Sequence, residues 1–165
     1  MNLCGRSEGE APTKFPSLLR LHTAVPHSIE REAEMKRETI RVEPLSTFLE
    51  KWKAPTSAVT RHGDTIYVSG FPPFDPQTGE VIEAPIERQA EIVLEQMRLC
   101  LEAAGSSLDN VLKCNVYCTS VEKFAAVNAI YARYFPTNPP ARIFVSVPAW
   151  PGHFDIEIDC VAAVG

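Results

Sequence analysis

Apolar residues recur along this chain with two different periods, and the switches between them mark the predicted elements. Residues 57–61 and 65–69 flank His62-Gly63-Asp64 and read as the arms of a β-hairpin. Ile86, Ala90, Val93, Leu94, Met97, Leu101 and Ala104 recur at helical spacing, with Glu87, Arg88, Glu91, Glu95 and Glu102 off the stripe. Gly105 is placed to stop that helix. A strand is predicted over 111–118, and Thr119-Ser120-Val121-Glu122 has the form of a capping box. It opens a second helix with the stripe Phe124, Val127, Tyr131 and Tyr134, ending before Pro136. A short helix over 45–51, closed by Pro55, precedes the hairpin.

The last quarter of the chain alternates with period two. Ile143, Val145 and Val147 share one face of a predicted strand, with Arg142, Phe144 and Ser146 on the other. Ile156, Ile158 and Cys160 share a face of the next, with Asp155, Glu157, Asp159 and Val161 opposite. The intervening loop, 148–153, contains Pro and Gly, so the two strands are expected to pair as a hairpin. If both apolar rows face one core, Arg142 and Glu157 lie together on the other face, about 13 Å apart between backbones. Two readings stay open for that pair: scattered charge on a solvated sheet face, or a site for a small anion. Phe144 and Val161 on the same face call for a cover, and the Pro139-Pro140 step stiffens the approach to Arg142. Two amphipathic helices cover one face of such a sheet, so self-association is the simplest cover for the other.

At 165 residues, 45% of them apolar, the chain is long enough to bury a core without metals or disulfides. Residues 1–34 lack periodicity, contain Pro12, Pro16 and Pro26, and end in an acidic-basic cluster. They are expected to form an extension, flexible or loosely docked, before a single domain over 35–165. Met35 opens the regular part and is a candidate natural start, which the intact mass of the native protein would decide. A net charge of −5 and no basic stripe argue against a general nucleic-acid binder. The five cysteines, Cys4, Cys100, Cys114, Cys118 and Cys160, contain no C-x-x-C, and the four histidines are dispersed, so no metal site is expected. Buried reduced thiols, no membrane span and a cytoplasmic location are the expectations. The loop from Gly70-Phe71-Pro72-Pro73 to Gly79 is stiff and leaves a strand tip; it is either a plain connection or part of a site.

Several stretches together resemble the RidA (YjgF-type) family of reactive-intermediate deaminases. They are Ile66-Tyr67-Val68-Ser69-Gly70, Asp75-Pro76-Gln77-Thr78-Gly79-Glu80, Leu101 through Asp109, Phe124-Ala125-Ala126-Val127-Asn128, Pro140-Ala141-Arg142, and the terminal Ile156 through Ala162. The resemblance runs from about Ala54 to the C-terminus. It implies an α+β, chorismate-mutase-like subunit, with a mixed sheet and two helices on one face. It further implies a homotrimer in which the sheets form a central barrel and the sites lie in clefts between subunits. The implied activity is hydrolysis of enamine/imine intermediates to 2-oxo acids and ammonia, with no metal or organic cofactor. The implied partners are an imino acid substrate and further copies of the chain.

By this resemblance Arg142 anchors the substrate carboxylate with a bidentate fork and Glu157 positions water and shuttles protons. Gly70 lines the site with bare backbone. Asn128 matches a family asparagine, for which a structural and a functional role are both open. Thr56 stands where many members have tyrosine, Phe71 where a polar residue is frequent, and Phe144 where a small one is frequent. Phe71, Phe144 and Trp150 either line a pocket suited to a larger apolar imino acid or pack at the subunit interface. Three rivals remain: a non-catalytic small-molecule-binding or chaperone-like trimer, an endoribonuclease, and a deaminase dedicated to one pathway.

Overall fold

A computed structural model describes residues 36–165; the predicted extension lies outside the described residues. Strand β1 (Glu38–Ile40) leads through a loop into helix α1 (Leu45–Lys51), then β2 (Val59–His62) and β3 (Thr65–Val68) form the predicted hairpin. Its turn is closed by Gly63 at φ 56°. Helix α2 (Ile86–Ala103), β4 (Val111–Cys118), α3 (Phe124–Tyr134), β5 (Ala141–Ser146) and β6 (Ile156–Ala163) follow. Short 3₁₀ turns, Leu108–Asn110 and Val121–Lys123, precede β4 and α3. Among the described residues the result is a mixed α+β fold: one six-stranded sheet in the order β1-β2-β3-β6-β4-β5 and three helices.

The core follows the periodicities. Ala90, Val93, Leu94, Met97, Cys100 and Leu101 of α2 meet Val59, Ile66, Val68, Cys114, Val116, Ile156, Ile158 and Cys160 of the sheet in one buried cluster. Gly105, at φ 75°, ends α2 as expected of a left-handed C-terminal residue. The predicted capping box takes another form. Ser120 Oγ accepts from Glu122 N at 3.1 Å, while Thr119 donates to the Asp155 carboxylate instead. Cys100, Cys114, Cys118 and Cys160 are free and buried, and burial pushes the thiols of Cys100 and Cys114 up to about 12 and about 11.

The expected hairpin of the last two strands is not formed. β4 lies between β5 and β6, parallel to the first and antiparallel to the second. A parallel partner needs a crossover, and α3 packed on the sheet supplies it between β4 and β5. This arrangement inverts β5. Arg142 stands beside Cys114 and Phe144 beside Val116, so Arg142 and Phe144 point to the helix-covered face. Ile143 and Val145 point to the opposite, outer face, with Ile143 48% exposed. Glu157 stands beside Tyr117, on that outer face. Arg142 and Glu157 therefore do not share a face, contrary to the alternation-based expectation.

The proline loop is welded into the core. Gln96 of α2 is buried and accepts from Phe74 N at 3.1 Å while donating to Pro72 O at 2.9 Å. Asp75 Oδ1 accepts from the backbone of Gln77 and Thr78, which holds its carboxyl below the usual range. Gly79 closes this turn at φ 75°, where an added Cβ would run into the Phe48 ring. Gly79→Ala therefore combines a left-handed alanine with a ring clash and is expected to cost about 2–4 kcal/mol. Chemical denaturation of the variant checks this, and an unchanged midpoint would contradict the packing described.

Candidate functional site: two half-sites on opposite faces

The first half-site lies at the sheet edge between β5 and α3. Phe124, Asn128 and Tyr131 occur at i, i+4 and i+7 on α3, one helical face turned toward Arg142. Arg142 Nη2 donates to Asn128 Oδ1 at 2.7 Å. The guanidinium carbon lies 4.6 Å from the Tyr131 ring centroid and 5.8 Å from that of Phe124. Phe124 meets Phe144 edge to face at 5.1 Å. A groove of about 340 Å³ opens here, lined by Asn128, Tyr131, Phe135, Pro139, Pro140 and Arg142.

Arg41, Arg88, Arg98 and Arg133 each sit against a carboxylate. For Arg142, the bond to Asn128 is the one side-chain hydrogen bond made among the described residues. A neutral amide and an aromatic face hold this cation without cancelling its charge. Nη2 keeps a second N–H, which with that of Nε or Nη1 leaves one two-pronged edge for a planar anion, the geometry that suits a carboxylate.

The second half-site lies on the outer face, at the tip of β3. Gly70 packs on Glu157: a Cβ built at Gly70 would lie 2.9 Å from Glu157 Oε2 and 3.3 Å from Glu157 Cβ. Burial, aided by the neighbouring Asp159 charge, raises the Glu157 carboxyl from 4.5 to about 7. Asp159 itself accepts from Asn115 Nδ2 at 2.7 Å across the β4–β6 pair. A cleft of about 790 Å³ begins beside Gly70 and runs past Ser69, Thr56, Tyr67, Asp159 and Arg37. Thr56 and Ser69 hydroxyls stand 3.3 Å apart in its wall, and Ser69 donates to Ser57 O at 2.8 Å.

Along β4 the neighbours of Arg142 and Glu157 are Cys114 and Tyr117. The two backbones are thus two strand spacings and three residues apart, about 14 Å, with side chains leaving opposite faces. One subunit does not bring this pair together. The groove beside Arg142 and the cleft beside Gly70 both open toward solvent.

The other candidates separate. Asn128 and Phe144 belong to the arginine half-site and Gly70 to the glutamate half-site. Phe71 is a correction: its side chain is 2% exposed and belongs to the core cluster, so it lines neither groove. The strand turns at Gly70, and the following Phe71 and Phe74 plug inward against α1 and α2. Trp150 stacks on Phe154 at 5.3 Å and meets Tyr117 edge to face at 6.5 Å. It therefore packs the crossover loop near the Glu157 row.

Two groups are not found by the sequence pattern. Helical spacing places Tyr131 in the core stripe, yet its ring also carries Arg142; the i, i+4, i+7 relation to Phe124 and Asn128 is the available signal. The second group is Lys123, Thr119 and Gln89 around Asp155, which ties the start of β6 to α2 and to the turn after β4. These residues are up to 66 positions apart, and no local pattern joins them. Burial raises the Asp155 carboxyl, but Lys123, Thr119 and Gln89 outweigh it and hold the group below its usual range.

Among the described residues no group of three or more His, Cys, Asp or Glu side chains is arranged to hold a metal ion, and no helix is long and apolar enough to cross a membrane. Residues 51–164 match the family model described as Endoribonuclease L-PSP. A RutC family protein of Pyrococcus horikoshii is 40% identical over 108 residues, covering 66% of this chain and 86% of its own length. The protein named Reactive Intermediate Deaminase A, chloroplastic, of Arabidopsis thaliana is 32% identical over 132 residues, covering 80% and 68%. The crystal structure of Escherichia coli TdcF with bound serine superposes with a TM-score of 0.64 at 30% identity, over 68% of this chain and 90% of that one. With the family model spanning most of the chain and the sheet and helices matching solved relatives, the chain belongs to the Endoribonuclease L-PSP family, that of YjgF and RidA.

Proposed function

We propose that this protein hydrolyses enamine/imine intermediates of amino acids to 2-oxo acids and ammonia at a site completed between subunits. The observation that carries the reading is Arg142, a half-buried guanidinium held by neutral groups and open on its carboxylate-binding edge. Two relatives agree with it: one is named a reactive intermediate deaminase, and another was solved with serine, whose carboxylate such a fork would grip.

In this mechanism Arg142 of one subunit fixes the imino acid by its carboxylate, and Glu157 of a neighbour addresses the imine carbon. Water attacks that carbon, the C=N π electrons move to nitrogen, and the Glu157 carboxylate takes the water proton. Glu157 returns that proton to nitrogen to give the carbinolamine, then takes the hydroxyl proton as the C=O forms and delivers it to nitrogen as the C–N bond breaks, releasing ammonia and leaving the 2-oxo acid. A carboxyl titrating near 7 populates both forms at neutral pH, as this shuttle needs. Holding the imine beside the water supplies much of the rate, because the imine is already electrophilic.

A homotrimer with a central barrel supplies the neighbour. The outer face that would line it presents Tyr67 and Ile143, each 48% exposed, with Val145 and Val161 half-buried beside them. An apolar sheet face of this kind is expected to be covered. The domain is placed at 35–165 and in the cytoplasm, where cell fractionation would check it against the plastid location in the Arabidopsis relative's name.

The test is a coupled assay. An amino-acid oxidase generates 2-iminopropionate, semicarbazide traps it, and the protein is expected to suppress semicarbazone formation. No suppression with alanine-, leucine- or phenylalanine-derived imines would favour a non-catalytic binding trimer. Gly70→Ala adds a geometric check. Its Cβ meets the end of the flexible Glu157 side chain, so the carboxylate moves while the fold stays. A displacement of about 1 Å is expected to cost about 10²-fold in kcat/KM with little change in thermal unfolding. Full activity in that variant would count against Glu157 as the group that takes the water proton.

A further inference from the structure

Tyr131 is 5% exposed, and its hydroxyl faces the buried Cys114 thiol without making a hydrogen bond of ordinary geometry among the described residues. A buried hydroxyl with only a weakly accepting thiol beside it gains little, so the ring rather than the oxygen accounts for what this residue contributes. One face of the ring carries the Arg142 guanidinium at 4.6 Å, and the ring also packs on Phe135 at 4.6 Å, tilted 34°. The Asn128 bond pins one corner of the guanidinium. A single hydrogen bond leaves a planar group free to swing about it; a flat surface beneath removes that freedom.

We propose that Tyr131 is a positioning residue for Arg142: its ring is the floor that sets the plane of the guanidinium fork and, with Asn128, holds it aimed at a carboxylate. This rests on the reading of Arg142 as carboxylate anchor and names what prepares that anchor. The physical advantage lies in the holder's neutrality. A carboxylate in the place of the ring would fix Arg142 equally well, but an incoming substrate would then have to displace it. A π face attracts the cation through its quadrupole and leaves the N–H edge and the net charge available. Phe124, 43% exposed and 5.8 Å from the same guanidinium, covers it only at the side.

The experiment measures KM and kcat for 2-iminopropionate hydrolysis, and pyruvate binding by calorimetry, in Tyr131→Phe, Tyr131→Leu, Tyr131→Met and Arg142→Ala. Phe keeps the ring and is expected to stay within about twofold of the parent. Leu and Met keep apolar bulk without a π face and are expected to raise KM and weaken pyruvate binding about tenfold, with a smaller effect on kcat. Met is flexible enough to fill the space if Leu proves poorly folded.

A double-mutant cycle separates positioning from general support. Tyr131→Leu is expected to add almost nothing once Arg142 is already Ala. Equal losses in both backgrounds, or normal KM and pyruvate binding in folded Leu and Met variants, would overturn the role of Tyr131. If instead Arg142→Ala itself leaves turnover and pyruvate binding unchanged, the reading of Arg142 as anchor falls.

Discussion

Replacing Arg142 by Ala is expected to lower kcat/KM for imino acid hydrolysis by about 10²–10⁴-fold while leaving a folded, assembled protein. The magnitude follows from two charge-assisted hydrogen bonds to the substrate carboxylate, each contributing about 1.5–3 kcal/mol. The expectation of an intact fold follows from the surroundings of Arg142. Its removal strands no opposing charge, since its contacts are an amide oxygen and aromatic faces, and Asn128 is only half-buried. Arg142→Lys restores charge without the fork and is expected to recover only part of the loss. Steady-state kinetics with thermal unfolding and light scattering check this. Unchanged turnover in a folded Arg142→Ala variant would remove the carboxylate-anchor assignment.

The second large effect concerns Glu157. Glu157→Gln keeps the shape and removes proton transfer, and is expected to lower the rate by about 10²–10⁴-fold. In the parent protein kcat/KM is expected to rise through a limb near pH 7, because the carboxylate form takes the water proton. The limb should vanish in the Gln variant, and a parent profile flat from about pH 6 to 8 would exclude Glu157 from the proton path.

Stability should move the opposite way. The folded carboxyl titrates near 7 against an ordinary value of 4.5, so between these values the folded chain holds a proton that the unfolded chain has released. Its contribution to stability is complete below about 4.5 and is lost as pH rises through about 7. Glu157→Gln should remove that decline.

The two variants also test the composite site. Arg142→Ala and Glu157→Gln subunits, each strongly impaired alone, should regain activity on mixing and reassembly. Some interfaces then pair an intact arginine with an intact glutamate, about a quarter of the sites for random head-to-tail trimers. No recovery from demonstrably mixed trimers would place both residues' roles within one subunit.

Much of the fold was legible because its signals are local. The α2 stripe, the glycine after it, the β2–β3 turn and the alternation of Ile156, Ile158 and Cys160 each involve residues within a few positions of one another. The strand pairing at the C-terminus was not legible. Alternation tells which residues share a face of one strand, but not which strand lies beside it. With β4 inserted between β5 and β6, the apolar row of β5 points outward and Arg142 points inward. An outward apolar row conflicts with a monomeric core and agrees with the outer face that the proposed trimer would cover, and no single chain's alternation reports on such a cover.

By itself the sequence determined the helical and extended segments, the turn glycines, the family, and the residue types able to grip a carboxylate and move a proton. Those properties are written in nearest neighbours and in short motifs whose order along the chain is diagnostic. Only the tertiary structure decided that Arg142 and Glu157 occupy opposite faces, that Phe71 is core, and that Asn128 and Tyr131 hold the arginine without neutralising it. These depend on register and crossover, which bring together residues far apart in the chain through the packing of the whole sheet against its helices.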